Sequence, residues 1–128
     1  MDIVGYTEAA PPPAGPYSQS RRRGGVIACA GQAGIRPNGE VEVGFGAQLR
    51  RTFENLRATL AAAGGDIGDV VQVRVFLTDP TQFAEMNEIY GEVFAAPYPA
   101  RTTVTVTLPP PLLVEVDLLA VVEEGVSQ

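Results

Sequence analysis

Histidine, tryptophan and lysine are absent from this 128-residue chain, and Cys29 is its one cysteine. Each absence removes a chemistry. A zinc site normally draws three or four ligands from His, Cys and carboxylates, and a His-dependent triad needs an imidazole base, so neither a metal site nor such a triad is expected. One cysteine cannot close a disulfide within the chain, which suits a reducing compartment. No apolar run approaches the roughly 20 residues of a membrane span. The stretch from Met1 to Ala10 carries Asp2 and Glu8 and has neither the basic start nor the apolar segment of a secretory signal. A soluble cytoplasmic protein with no membrane partner is expected. A net charge of −6 would repel a polyanion such as RNA, so no nucleic-acid partner is expected, although single arginines can still hold small anions. Acid–base chemistry is left to Asp, Glu, Tyr and bound water.

What remains is the composition of a globular protein, 45% hydrophobic and 19% charged, with room for one domain over residues 1–128. Pro11, Pro12, Pro13 and Pro16 predict an extended arm, because proline fixes φ and drives its predecessor out of the helical region. Ser18 to Arg22 and Val26 to Ala30 predict a hairpin around Gly24-Gly25. Val41 to Val43 predicts a third short strand after the Asn38-Gly39 turn. From Gln48 the period changes. Leu49, Phe53, Leu56, Leu60 and Ala63 recur at helical spacing, and Gly64-Gly65 stops that helix with a left-handed cap. Val71, Val73, Val75 and Leu77 predict a half-buried strand. Asp79 and Pro80 open a second helix whose inward stripe is Phe83, Asn87, Tyr90 and Phe94. Arg101 to Thr107 and Leu113 to Val122 supply two final strands, and Val126 to Gln128 reads as a frayed tail. Helices on one face of a mixed sheet, an α+β sandwich, follow from this order.

Several residues stand out against that background. On the last strand Glu115 and Asp117 share a face with Leu113, Leu119 and Val121. They are either exposed at a sheet edge or partly desolvated, the second case raising a carboxyl toward a value useful for proton transfer. Arg101 shares its strand parity with Thr103, Thr105 and Thr107; a guanidinium there forms an ordinary ion pair or clamps a ligand carboxylate bidentately. Asn87 reads as a core amide or a ligand contact. Tyr17 packs or caps a pocket. The Arg21-Arg22-Arg23 run is a solvated hairpin tip or a phosphate-attracting patch. Cys29, in an apolar strand, reads as a buried inert thiol.

These segments resemble the RidA/YjgF group of enamine/imine deaminases over nearly the whole chain. The likeness lies in Gly15-Pro16-Tyr17-Ser18-Gln19, Ala30-Gly31-Gln32, Gln48 to Leu56, Gly68-Asp69-Val70-Val71, Phe83 to Tyr90, Pro99-Ala100-Arg101-Thr102 and Val114-Glu115-Val116-Asp117. The resemblance implies a chorismate-mutase-like fold. It further implies a homotrimer whose sheets face a central barrel and whose active sites lie between subunits. It also implies cofactor-free hydrolysis of small carboxylate-bearing enamines or imines, such as 2-aminoacrylate and 2-iminopropanoate, to 2-keto acids and ammonia. By this likeness Arg101 binds the substrate carboxylate, Glu115 positions or activates water, and Tyr17, Gly31 and Asn87 line the site. Thr103 contributes chiefly backbone. Ala30 stands where the family typically has serine and Thr103 where it commonly has cysteine. These two departures leave open a pathway-specific relative, a 3-aminoacrylate deaminase or tautomerase, or a trimer that only binds small acids.

Overall fold

The protein is described over residues 1–123 from a computed structural model. Eight elements follow one another: β1 (Asp2–Gly5), β2 (Ser20–Arg23), β3 (Val26–Ala33), α1 (Phe45–Ala62), β4 (Val70–Leu77), α2 (Phe83–Val93), β5 (Ala100–Thr105) and β6 (Val114–Val121). The strands form one sheet in the order β1-β2-β3-β6-β4-β5, antiparallel except for the parallel pair β4–β5. The β6 strand, last in sequence, lies at the middle, bonded to β3 on one side and β4 on the other.

Strand alternation sorts the residues of β6. Val114, Val116, Leu118 and Ala120 are buried toward the helices, and Glu115, Asp117 and Leu119 lie on the opposite face. The helical period of α1 puts Leu49, Phe53, Leu56 and Leu60 against that buried face, each at most 1% exposed. Such side chains contribute about 1.5–3 kcal/mol apiece when fully buried. From α2 the core receives Met86, Ile89 and Tyr90, and Phe53 meets the Tyr90 and Phe94 rings edge-on at 6.1 and 5.8 Å. Gly64, at φ 84, ends α1 in the left-handed conformation expected of it.

The structure departs from the sequence reading at five places. A short edge strand, β1, pairs with β2; four residues with little apolar alternation gave no signal for it. Val41 to Val43 is no strand, having only the isolated bridge Ile35–Val41. The Arg36 fork holds Glu42, and Gly44 at φ 91 turns the chain directly into α1, which starts at Phe45. Val71 is exposed because a register shift between Val70 and Gln72 interrupts the alternation of β4. Asp79 caps a short 3₁₀ turn, Pro80–Gln82, ahead of α2. The buried stripe of α2 is Met86, Ile89 and Tyr90, so Phe83 and Asn87 lie at its exposed edge. The expected frayed tail, Val126 to Gln128, lies outside the described residues.

The arginine run is used internally. Arg21 pairs with Asp2. Arg22 is buried and donates to the Gly24 carbonyl at 2.8 Å and the Ala63 carbonyl at 3.1 Å, the latter at the C-terminal end of α1. A cation there also meets the negative end of the helix dipole.

Candidate active site

Two recesses carry the residues singled out from the sequence, on opposite sides of the sheet. On the helix side, Arg101 projects from edge strand β5, in register with buried Val73 of β4. Its guanidinium stands 4.7 Å from the Tyr90 ring centre and 5.7 Å from that of Phe83, within reach of cation–π attraction. Among the described residues no carboxylate pairs with it, although eight other ion pairs form. Arg101 lines an open cavity of about 360 Å³ with Asn87, Tyr90, Gly91, Tyr98 and Pro99. The Tyr90 hydroxyl is buried and has no hydrogen-bond partner among the described residues. Burial raises its pKa against the opposing charge of Arg101. Thr103, two residues along the same strand face, also buries an unpartnered hydroxyl. A cation without a counter-ion, beside unsatisfied hydroxyls, is an arrangement that accepts an anion with hydrogen-bonding oxygens.

On the helix-free side, Glu115 projects from β6 into a recess of about 190 Å³ walled by Pro11, Pro12, Tyr17, Gly31, Ile35 and Leu112. Its carboxyl is held above the ordinary value of 4.5, first by burial and then by the charge of Asp117. Asp117 itself is engaged by the Arg74 fork at 2.9 and 2.6 Å, which separates the two carboxylates of the last strand into a paired one and a free one. Gly31 lies where the β3–β6 register shifts. A Cβ there would stand 2.6 Å from Glu115 Oε2, so only glycine lets the carboxyl occupy this position. Half-exposed Tyr17 closes the outer wall and accepts the Ala14 N–H at 3.1 Å through its hydroxyl. Ala30, next to Gly31, donates its N–H to the Gln19 carbonyl at 3.0 Å and does not line the recess.

Within one chain, then, Tyr17, Gly31 and Glu115 come together, Arg101 and Asn87 come together, and the two sets do not meet. Phe83 and Tyr90 read as core residues in the sequence; Tyr90 is one and Phe83 is exposed, and both rings flank Arg101. Tyr98 and Leu112, with Ile35, are walls that no sequence signal marked, because an exposed aromatic or a loop aliphatic has no periodicity to reveal it. Cys29 is buried and its thiol is pushed up to about 11 by burial, consistent with an inert side chain. Among the described residues no group of three or more Cys, Asp or Glu side chains could hold a metal ion, and no helix is long and apolar enough to cross a membrane.

The mixed six-stranded sheet with both helices on one face defines an α+β protein of chorismate-mutase-like fold. The family model described as Endoribonuclease L-PSP matches residues 7–122, and the chain belongs to that family, the RidA/YjgF group of the sequence resemblance. It is 36% identical over 120 residues to a 2-iminobutanoate/2-iminopropanoate deaminase of Dermatophagoides farinae, covering 91% of this chain and 94% of the relative. RidA of an Antarctic Psychrobacter superposes with a TM-score of 0.90 at 38% identity, over 94% of this chain and 99% of that one. TdcF of E. coli, solved with bound serine, superposes with a TM-score of 0.88 at 35% identity, again over 94% and 99%.

Proposed function

We propose that this protein is a cytoplasmic, cofactor-independent hydrolase, a single domain over residues 1–128, that deaminates small enamine and imine acids of the 2-aminoacrylate/2-iminopropanoate type. The observation that carries this reading is Arg101, an unpaired guanidinium facing an open recess. A substrate carboxylate accepts two parallel N–H bonds from it, and Asn87 and Tyr98 flank the bound acid. Glu115, with its raised pKa, takes a proton from water as the water oxygen adds to the C=N carbon. Glu115 returns that proton to the nitrogen, and as the tetrahedral intermediate collapses the same carboxylate carries its hydroxyl proton to the departing amine, so that the keto acid and ammonia are formed. Tyr17 shields this step, Gly31 makes room for the carboxyl, Ala30 adjoins Gly31 on β3, and Thr103 adjoins Arg101 on the same face of β5. An imine carbon is electrophilic enough for this addition without a metal.

Because Arg101 and Glu115 face opposite sides of one sheet, the complete site takes Arg101 from one protomer and Glu115 from a neighbour. We therefore assign a homotrimer with sites between subunits. Its helix-free sheet faces, which carry Val26, Val104, Leu119 and Val121, line a central barrel. The apolar character of those positions supports this, as Val26, Val104 and Val121 are exposed and Leu119 is partly so. The assay generates 2-iminopropanoate in place with an amino-acid oxidase and follows its decay. No acceleration at micromolar enzyme would remove the proposal.

A second reading is a specialised relative acting on 3-aminoacrylate, or a tautomerase. It is favoured by Ala30, which cannot donate the bond a serine would, and by the unpartnered Thr103 hydroxyl. Faster turnover of 3-aminoacrylate than of 2-iminopropanoate would establish it. Binding of a keto acid without turnover would instead mark a trimer that only holds small acids. Ribonuclease activity is disfavoured by the acidic balance and the absence of an imidazole base, and tight salt-sensitive RNA binding would reverse that judgement.

A further inference from the structure

Gln48 lies on the first turn of α1 and is 1% exposed, so its amide has left water and must find its partners inside the protein. It finds three. Nε2 donates to the Glu42 carbonyl at 3.1 Å and to the Pro111 carbonyl at 3.0 Å, while Oε1 accepts the Leu113 N–H at 2.8 Å. The partners belong to two segments far apart in sequence, the loop between β3 and α1 and the loop that leads into β6. Both loops wall the Glu115 recess, the first through Ile35 and the second through Leu112. Leu112 sits between two residues that the amide grips, and Glu115 follows Leu113 by two. Close packing fixes the base of the side chain: a Cβ on Gly34 would stand 2.4 Å from the Gln48 Cβ.

We propose that Gln48 is a positioning residue for the deamination. By clamping Pro111 and Leu113 to α1, it fixes where β6 begins and so where the Glu115 carboxyl stands in its recess. The proposal rests on the function assigned to Glu115 above. None of the residues that Gln48 grips lines the Arg101 recess. A buried amide with a purely structural role would lower stability and leave turnover per folded molecule unchanged. A positioning residue changes turnover and the protonation behaviour of Glu115 while leaving carboxylate binding alone.

The experiment compares wild type, Gln48→Met, which keeps the side-chain length and removes all three bonds, and Leu60→Ala, a core change on the same helix remote from the recess. For Gln48→Met we expect kcat to fall about 10- to 100-fold, as a displacement near 1 Å can cost about 10²-fold. We expect KM to stay within about twofold, because the carboxylate anchor is untouched. The carboxyl carbon of Glu115, followed by NMR against pH beside the neighbouring charge of Asp117, should titrate at a shifted midpoint. Leu60→Ala should lose stability and keep the wild-type kcat and midpoint. Wild-type kcat and midpoint in Gln48→Met would overturn the proposal, as would an equal kcat loss in Leu60→Ala. If Gln48→Met does not fold, Gln48→Glu, which still accepts from Leu113 and loses both donations, replaces it; failure of both to fold would assign Gln48 to the fold and overturn the positioning role. A wild-type protein inactive on imino acids would remove the function reading alone, since the carboxyl titration still decides the clamp.

Discussion

Replacing Gly31 by alanine tests whether the placement of one carboxyl governs turnover. The new Cβ would lie 2.6 Å from Glu115 Oε2 and 3.1 Å from its Cδ, whereas ordinary contact begins at 3.4 Å. The carboxyl must therefore retreat by about 0.8 Å, the difference between 3.4 and 2.6. Retreat is easy, because the clash involves the far end of a flexible side chain and Gly31 does not have the positive φ that would strain an alanine. Stability should change by no more than about 1 kcal/mol, the smaller unfolded-state entropy of alanine offsetting part of the strain. Turnover should respond far more. A shift of this size typically costs about 10- to 100-fold in rate, or ~1.4–2.7 kcal/mol of barrier. The assay is kcat on 2-iminopropanoate generated in place, with thermal melting of the same preparation as the control. Wild-type kcat in a folded Gly31→Ala protein would refute the reasoning, because the reaction would then tolerate a displaced Glu115.

Arg101→Ala should raise KM for imino acids strongly while costing no more than about 1 kcal/mol of stability, since only cation–π contacts and no carboxylate among the described residues depend on Arg101; an unchanged KM would separate it from substrate binding. Glu115→Gln should lower kcat by about 10²–10⁴-fold, as loss of an acid–base group typically does, with KM little changed. Wild-type stability should vary with pH in a defined sense. The folded protein holds the Glu115 proton more tightly than the unfolded chain, so the stability linked to that proton is complete below the ordinary carboxyl value and lost as pH rises through the raised one. The Gln variant should therefore melt above wild type at neutral pH, with the gap closing at acid pH; a pH-independent gap would contradict the burial of the carboxyl. Phe53→Ala, which removes a ring 1% exposed between Tyr90 and Phe94, should cost about 3–5 kcal/mol in denaturant unfolding, and a loss under 1 kcal/mol would mean the three rings do not form the core described.

Periodicity made α1 and the two faces of β6 legible, because Leu49, Phe53, Leu56 and Leu60 repeat at 3.6 and Val114, Val116, Leu118 and Ala120 at 2. Where the pattern was broken by tertiary structure, it misled. Val71 fits the alternation on paper and is turned outward by the register shift beside it. Asn87 falls on a plausible inward stripe of α2, yet it sits at the exposed edge, because the helix rolls to bury Met86 and Ile89 instead. The separation of Glu115 from Asp117 could not be read at all, since it depends on Arg74, 43 residues away in sequence, choosing one of them. Nor does spacing disclose that Arg101 and Glu115 face opposite ways; this needs the parallel pairing of β4 with β5 and the antiparallel pairing of β4 with β6.

The central position of β6 has a consequence for how the chain is made. Until Val114–Val121 has left the ribosome, β1, β2 and β3 form one strand group and β4 with β5 another, with no ladder between them. Each group presents an unpaired edge, at β3 and at β4, that β6 alone will cover. The sheet therefore closes only once β6 has been made, and a polypeptide that stops before β6 carries two open edges next to apolar side chains, the condition under which strands recruit other chains.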